Sequence, residues 1–269
     1  MTNSHTASAM NIAFFDSGLG GLSVLSEAID RLPGENYIYY ADTLHVPYGT
    51  KPQEEVRRFI REAMDQIMEE NVKAIVVACN TATSLSVREL RGAYGIPVIG
   101  MEPAVKPAVE MNRTSGRRVL VFATPITLRE TKYAELVSRV DNAHIVDSIP
   151  LPELVAYCEE LCFDPVIIGR YFEEKLADYD LNEYGTIVLG CTHYPFYRKL
   201  LQSILPAHIR LVDGSRGTIS HLADVLESAG LRNPQRSGNV AYRCSGDSPA
   251  YIAKMKRALD LYRTELAEE

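Results

Sequence analysis

Residues 74–81 read Ala74-Ile75-Val76-Val77-Ala78-Cys79-Asn80-Thr81, and residues 187–193 read Ile187-Val188-Leu189-Gly190-Cys191-Thr192-His193. Each is a short apolar run that stops at a cysteine and continues into polar side chains. Runs of this length, rich in β-branched residues and bounded by polar ones, predict buried strands. The two thiols then stand at the carboxyl ends of two strands, 112 residues apart. A second pair repeats the theme. Asp16-Ser17 follows the apolar run 12–15 and Ala123-Thr124 follows 119–122, with Ser17 and Thr124 107 residues apart. Apolar strands followed by polar turns recur by chance in α/β chains, so it is the cysteine at the same place in both copies that favours a repeat. Two near-equal offsets predict two copies of one α/β unit, related by a pseudo-twofold axis that turns the two thiols toward each other.

Further strands are expected at 37–41, 98–99 and 145–149. Between them lie helical patterns. Leu22, Leu25, Ala28, Ile29 and Leu32 share one face of a helix over 22–32. After Pro52, which suits the first turn of a helix, Val56, Phe59, Ile60, Ala63, Met64 and Ile67 share another, and a third helical stretch covers 128–140. Such alternation predicts an α/β fold of two similar pseudo-symmetric units, with mostly parallel sheets and the active site between them.

The bulk numbers exclude several classes. A chain of 269 residues that is 46% hydrophobic and 23% charged is an ordinary globular protein with ample core. Its net charge of −7 lends nothing to a nucleic-acid partner, which calls for a basic face, and leaves an anionic ligand to be held by local groups. No apolar run approaches the ~20 residues that span a bilayer, so no membrane association is expected. Residues 1–9 are polar and lack the pattern of a secretory signal, and they are expected to form a tail. The five cysteines, at 79, 158, 162, 191 and 244, are odd in number and form no disulfide framework. A reduced, cytoplasmic protein follows.

In open α/β sheets ligands bind beyond the carboxyl ends of the strands. Four such ends carry polar residues here: Asp16-Ser17, Cys79-Asn80-Thr81, Thr124 and Cys191-Thr192-His193. Helices that start just after these turns aim free backbone N–H groups into the same space, which suits a carboxylate even with no Arg or Lys in the motifs. A lone cysteine is most often a small buried hydrophobe, and Cys158, Cys162 and Cys244 are read that way. Cys79 and Cys191 have matched polar contexts. A helix N-terminus there favours the thiolate that base chemistry needs, with His193 and a nearby carboxylate available to Cys191 and Asp16 to Cys79. The loop Gly18-Leu19-Gly20-Gly21 between a strand and a helix, with Asp42 after the second strand, also suggests a dinucleotide fingerprint. Ser23 stands in place of the third glycine, however, and Asp16 would repel a pyrophosphate. Cys191 and His193 alone do not complete a tetrahedral metal site. No basic residue follows Cys79 closely enough for a phosphatase-like loop.

At these residues the sequence resembles the glutamate racemase family over roughly residues 11–262. The matching segments are Phe15-Asp16-Ser17-Gly18-Leu19-Gly20-Gly21, Ala41-Asp42 with Pro47-Tyr48-Gly49, Cys79-Asn80-Thr81-Ala82-Thr83, Gly95-Ile96-Pro97-Val98, and Gly190-Cys191-Thr192-His193-Tyr194-Pro195. The resemblance implies that Cys79 and Cys191 are the catalytic thiols of a cofactor-independent racemase, with Asp16 and His193 as acid–base support. It implies that Asp16, Ser17, Tyr48, Gly49, Asn80, Thr81, Thr192 and His193 line a glutamate pocket, and Thr124, from its place at a strand end, is expected to join them. A second-half glutamate assists Cys191 in the family; Glu153, Glu159 and Glu160 are the candidates, and the register from Pro152 favours Glu159. The family fold implies one unit formed by 1–104 and 212–269 and another by 105–211, and the resemblance implies a homodimer and a D-glutamate product used in peptidoglycan. The segment Thr43-Leu44-His45-Val46 departs from many relatives, which carry basic residues and a cysteine there. Three other readings stand beside this one: an aspartate racemase, which commonly has Glu where His193 stands, a dinucleotide enzyme, and a non-catalytic amino-acid-binding protein, which would not need both thiols.

Overall fold

The computed structural model describes residues 10–233 and 238–266; the expected tail at 1–9 lies outside them. Strand β1 (Asn11–Asp16) sends Ile12 and Phe14 into one core and Ala13 and Phe15 into another. Successive strand residues point to opposite faces, so a run apolar at every position buries itself only at the centre of a sheet covered on both sides. With β2 (Asn36–Ala41), β3 (Val72–Val77), β4 (Val98–Gly100) and β9 (Val240–Cys244) it forms a sheet of order β4-β3-β1-β2-β9. The second sheet has the order β6-β5-β7-β8, from β5 (Arg118–Ala123), β6 (Val146–Pro150), β7 (Tyr184–Leu189) and β8 (Arg210–Asp213). Every strand pair in both sheets is parallel, as the alternation predicts.

The repeat is visible down to its irregularities. β5 to β8 take the places of β1 to β4. The register slips between Asn11 and Ile12 where β1 meets β3, and between Arg118 and Val119 where β5 meets β7. The first sheet is completed from the far end of the chain by β9, which runs beside β2. Strand β8 spans positions 211 and 212 and pairs with β7 along all four of its residues.

Helices α1 (Leu22–Arg31), α2 (Gln53–Glu69), α3 (Asn80–Ala93) and α4 (Val105–Asn112) connect the first strands, with Pro52 just before α2. One expected element divides. The stretch 128–140 is two helices, α5 (Pro125–Arg129) and α6 (Thr131–Val140), separated by Glu130 in an extended conformation. Hydroxyl contacts of Thr124 and Thr127 with Thr81 fix α5 over the cleft, whereas Tyr133 and Leu136 of α6 pack into the outer core beside α4. One straight helix does not serve both demands. The later helices are α7 (Glu153–Glu159), α8 (Pro165–Leu176), α9 (Arg198–Ile204), α10 (Ser215–Ser228) and α11 (Pro249–Leu261). The largest apolar core runs through both units, from Phe14 and Tyr39 to Phe122, Tyr194 and Met255, while smaller cores cover the outer face of each sheet. Among the described residues no helix is long and apolar enough to cross a membrane.

Candidate active site

The carboxyl ends of β1, β3, β5 and β7 open on one cleft. Asp16, the last residue of β1, is fully buried. Its Oδ1 accepts the Gly18 N–H at 2.9 Å, and its Oδ2 accepts the Thr192 hydroxyl at 3.0 Å from the other unit. Burial pushes the Asp16 carboxyl up, against the opposing effects of the His193 charge and these two donors.

The glycine loop receives the second unit. A Cβ on Gly20 would lie 2.5 Å from His193 Nδ1, one on Gly21 2.6 Å from Asp16 Cβ, and one on Gly18 would overlap the Glu159 carboxylate. Ser23 Oγ lies 2.9 Å from Gly20 O and 3.0 Å from Thr192 O. The Leu19 N–H donates to Glu159 Oε1 at 2.6 Å. The room a pyrophosphate needs is thus filled by an anionic side chain and an imidazole. The dinucleotide reading fails on this ground.

Strand β3 hands over to α3 at Cys79, which is the N-cap: its sulfur accepts the Ala82 N–H at 3.5 Å, and its thiol faces Ser17 Oγ at 3.9 Å. The expectation that the helix N-terminus wins there is corrected. Burial pushes the Cys79 thiol up, the charges of Asp16 and Cys191 add to this, and the Ala82 and Ser17 contacts do not offset them. Burial thus favours the thiol form of Cys79. Thr81 Oγ1 lies 2.9 Å from Thr124 Oγ1, which also caps α5 by accepting the Thr127 N–H. Gly49 lies against Thr124, where a Cβ would come within 2.6 Å of the threonine Cβ. Tyr48 is buried and donates to Asp42 at 2.5 Å; His45, from the segment that departs from many relatives, meets the same carboxylate at 2.8 Å. Asn80 is buried too, yet neither its Oδ1 nor its Nδ2 has a hydrogen-bond partner. Its donor and acceptor capacity is therefore not used by the protein's own groups.

On the other side, β7 ends at Leu189 and the chain turns after Gly190 through Cys191, Thr192 and His193, all buried. Cys191 Sγ lies 3.6 Å from His193 Nδ1, and His193 Nε2 lies 2.7 Å from Glu159 Oε1. Burial opposes a charge on His193, but contacts with Cys191 and Glu159 overcome it and hold the imidazole protonated well above its ordinary range. Burial likewise raises Glu159, yet hydrogen bonds and charge from His193, together with the Tyr251 hydroxyl and the Leu19 N–H, bring it below its ordinary value. Of the three glutamates, Glu159 is thus the one that meets His193. Glu153 turns outward to Tyr171 and Lys175, and Glu160 is exposed.

The structure links Asp16, Thr192, Glu159, His193 and Cys191 by side-chain contacts, and pairs Cys79 with Ser17, Thr81 with Thr124 and Gly49 with Thr124. Sequence reading missed Thr127 and Tyr251. The Tyr251 hydroxyl donates to Glu159 Oε2 across 92 residues of chain, and no local pattern signals such a contact. Burial pushes the Cys158 thiol up as well, in keeping with an inert role.

Two similar parallel sheets, each delivering one buried thiol with a carboxylate near it to a shared cleft, define a class of α/β isomerases that act at a single carbon centre. The chain belongs to the Asp/Glu/Hydantoin racemase family, whose model matches residues 20–222. It is 48% identical to a glutamate racemase of Halothermothrix orenii, over 94% of this chain and 99% of that one. Its fold matches a glutamate racemase isoform from Bacillus anthracis with a TM-score of 0.82 at 27% identity, covering 96% of this chain and 95% of the other. It also matches the Francisella tularensis glutamate racemase in complex with D-glutamate, with a TM-score of 0.80 at 26% identity and coverage of 97% and 96%.

Proposed function

We propose that the protein interconverts L-glutamate and D-glutamate, with Cys79 and Cys191 acting on opposite faces of the α-carbon. The observation that supports this most directly is the equivalent placement of the two thiols, each two residues beyond the matching strand of a repeated unit, with the buried, unpartnered Asn80 amide directly after the first. One base cannot reach both faces of a held substrate. In the two-base scheme one sulfur, as thiolate, takes the α-proton and becomes a thiol. The other thiol delivers its proton to the opposite face and becomes a thiolate. The carbanion-like state between these events is stabilised by donors already fixed around the carboxylate, which the first turn of α3 and the Thr81–Thr124 hydroxyl pair supply.

Each turnover leaves the two sulfurs with exchanged protonation states. A proton must then move before the next turnover in the same direction. Protonated His193, between Cys191 and Glu159, is placed to manage that proton on one side, and Asp16, whose charge acts on Cys79, on the other. Ser17, Tyr48 and Gly49 complete the substrate wall in this reading. The D-glutamate formed is the isomer used in peptidoglycan, the role the family resemblance implies. A homodimer in the cytoplasm, built from two units each as laid out above, completes the proposal; light scattering of the purified protein tests the dimer.

Dialysed protein with no added cofactor should racemise glutamate, followed by polarimetry, far faster than aspartate. A clear aspartate preference overturns the substrate. In D₂O the Cys191→Ala variant should place deuterium at the α-position of D-glutamate without forming the L-isomer, and Cys79→Ala should do the same with L-glutamate. Full racemisation by either single variant overturns the two-thiol scheme.

A further inference from the structure

We infer that Tyr251, from the C-terminal helix, is a positioning residue for the Cys191 side of the reaction: its hydroxyl clamps the Glu159 carboxylate against His193. The inference rests on the two-thiol reading above. Three contacts hold Glu159. Oε1 receives His193 Nε2 at 2.7 Å and the Leu19 N–H at 2.6 Å, and Oε2 receives the Tyr251 hydroxyl. Only the last comes from outside the motifs that meet in the cleft.

Tyr251 is itself tightly placed. Strand β9 runs parallel to β2, so its carboxyl end faces the same cleft as β1. The chain then turns through Gly246 and Asp247, both at positive φ, and Ser248 caps α11 by accepting the Tyr251 N–H at 3.3 Å. The ring is therefore fixed at the third position of the helix, where it points its hydroxyl at Glu159. Glu159 lies at the last residue of α7, a two-turn helix, and has no other side-chain donor besides His193 among the described contacts. Loss of the phenolic hydrogen bond leaves the carboxylate free to rotate away from the imidazole. His193 then loses the partner that keeps it oriented and protonated beside Cys191.

One thermodynamic constraint shapes the test. Enantiomers have equal free energies, so kcat/KM is the same in both directions for any variant, and a defect on one side of the cleft cannot appear as a directional kcat/KM. It appears in the pH profile and in coupling to Glu159. Tyr251→Phe keeps the ring and removes the hydroxyl. We expect kcat to fall about 10-fold, in line with a lost hydrogen bond to a charged group, with KM little changed. The acid limb of the kcat/KM profile should move to higher pH, because Glu159 loses a donor that favours its ionised form. In a Glu159→Gln background the same substitution should change kcat less than about 2-fold, since residues that act through one partner are not additive. Equal losses in both backgrounds, an unmoved acid limb, or a Phe variant that loses its fold by circular dichroism would mark Tyr251 as a structural residue and overturn the assignment. Absence of racemisation by the unmodified protein would instead overturn the two-thiol reading beneath it.

Discussion

At the scale of single residues, the site is a contest between burial and partners. Cys79 and His193 are both buried, yet one is driven toward its neutral form and the other held charged, because His193 has a carboxylate at 2.7 Å and Cys79 has only a weak N–H donor and a nearby carboxylate of the wrong sign. This makes a prediction with a definite sign. His193 is raised, so it keeps its proton until pH climbs through its folded value. Glu159→Gln removes one of the two groups that raise it, and the alkaline limb of kcat/KM should shift to lower pH; an unshifted limb means that Cys191 alone sets the His193 titration. The glycine loop offers a second test. Gly20→Ala drives a methyl into His193 and should lower kcat by roughly 10²-fold or more, the scale of a misplaced acid–base group. Gly92→Ala has nothing within 4 Å and should leave kcat unchanged. Both thiols, Asp16 and His193 were legible in the sequence because each follows an apolar run that marks its strand. The thiol form favoured at Cys79 was not, because burial and the approach of Asp16 belong to tertiary packing.

At the scale of elements, the central strands β1, β3 and β5 were read to within about two residues at each end, since a doubly covered parallel strand must be apolar throughout, whereas the half-buried edge strands β8 and β9, which carry charged residues among their apolar ones, were not read at all. Where competing demands acted on one segment, local pattern misled. The apolar spacing over 128–140 continues through Glu130, but the hydroxyl cluster at Thr81, Thr124 and Thr127 reorients the first turn. A connection that no periodicity could show joins β3 to the chain's last third. Lys73 donates to Glu35 Oε2 and to Leu231 O, both at 2.6 Å, and the Asn233 N–H donates to Glu35 Oε1 at 2.8 Å. Both charged side chains are buried. Lys73→Met leaves the Glu35 charge in the interior without its main partner and should cost about 3–5 kcal/mol, measured by urea denaturation. Glu35→Gln, which keeps two acceptor positions on its oxygen, should cost less if the Asn233 contact carries part of the strap. A loss below about 1 kcal/mol for Lys73→Met would show that water reaches the pair.

At the scale of the whole molecule, the two units share their largest core and also share the cleft. Phe14 and Phe122, from the two central strands, lie in one continuous apolar cluster, while Thr192 on Asp16, Glu159 on Leu19 and Thr124 on Thr81 are polar contacts that cross between units at the site itself. A ligand seated among them touches groups of both. By mass action a ligand at 100 times its dissociation constant stabilises the folded state by about 2.7 kcal/mol. For a chain of this size that corresponds to a rise in Tm of roughly 5–10 °C. Because the donors come from both sheets, D-glutamate should raise the entire calorimetric transition together, and if unfolding resolves into two steps, both should move. Binding held by one unit alone would move one step and leave the other in place, and the cleft between the sheets would then not be where the substrate sits. Asn80→Ala removes the buried amide that has no hydrogen-bond partner, so it should leave the unliganded transition within about 1 kcal/mol of its original stability, by the usual worth of one side-chain group, while reducing the ligand-induced shift. A variant that lowers the unliganded transition strongly but keeps the full shift would assign Asn80 to the fold instead of the substrate.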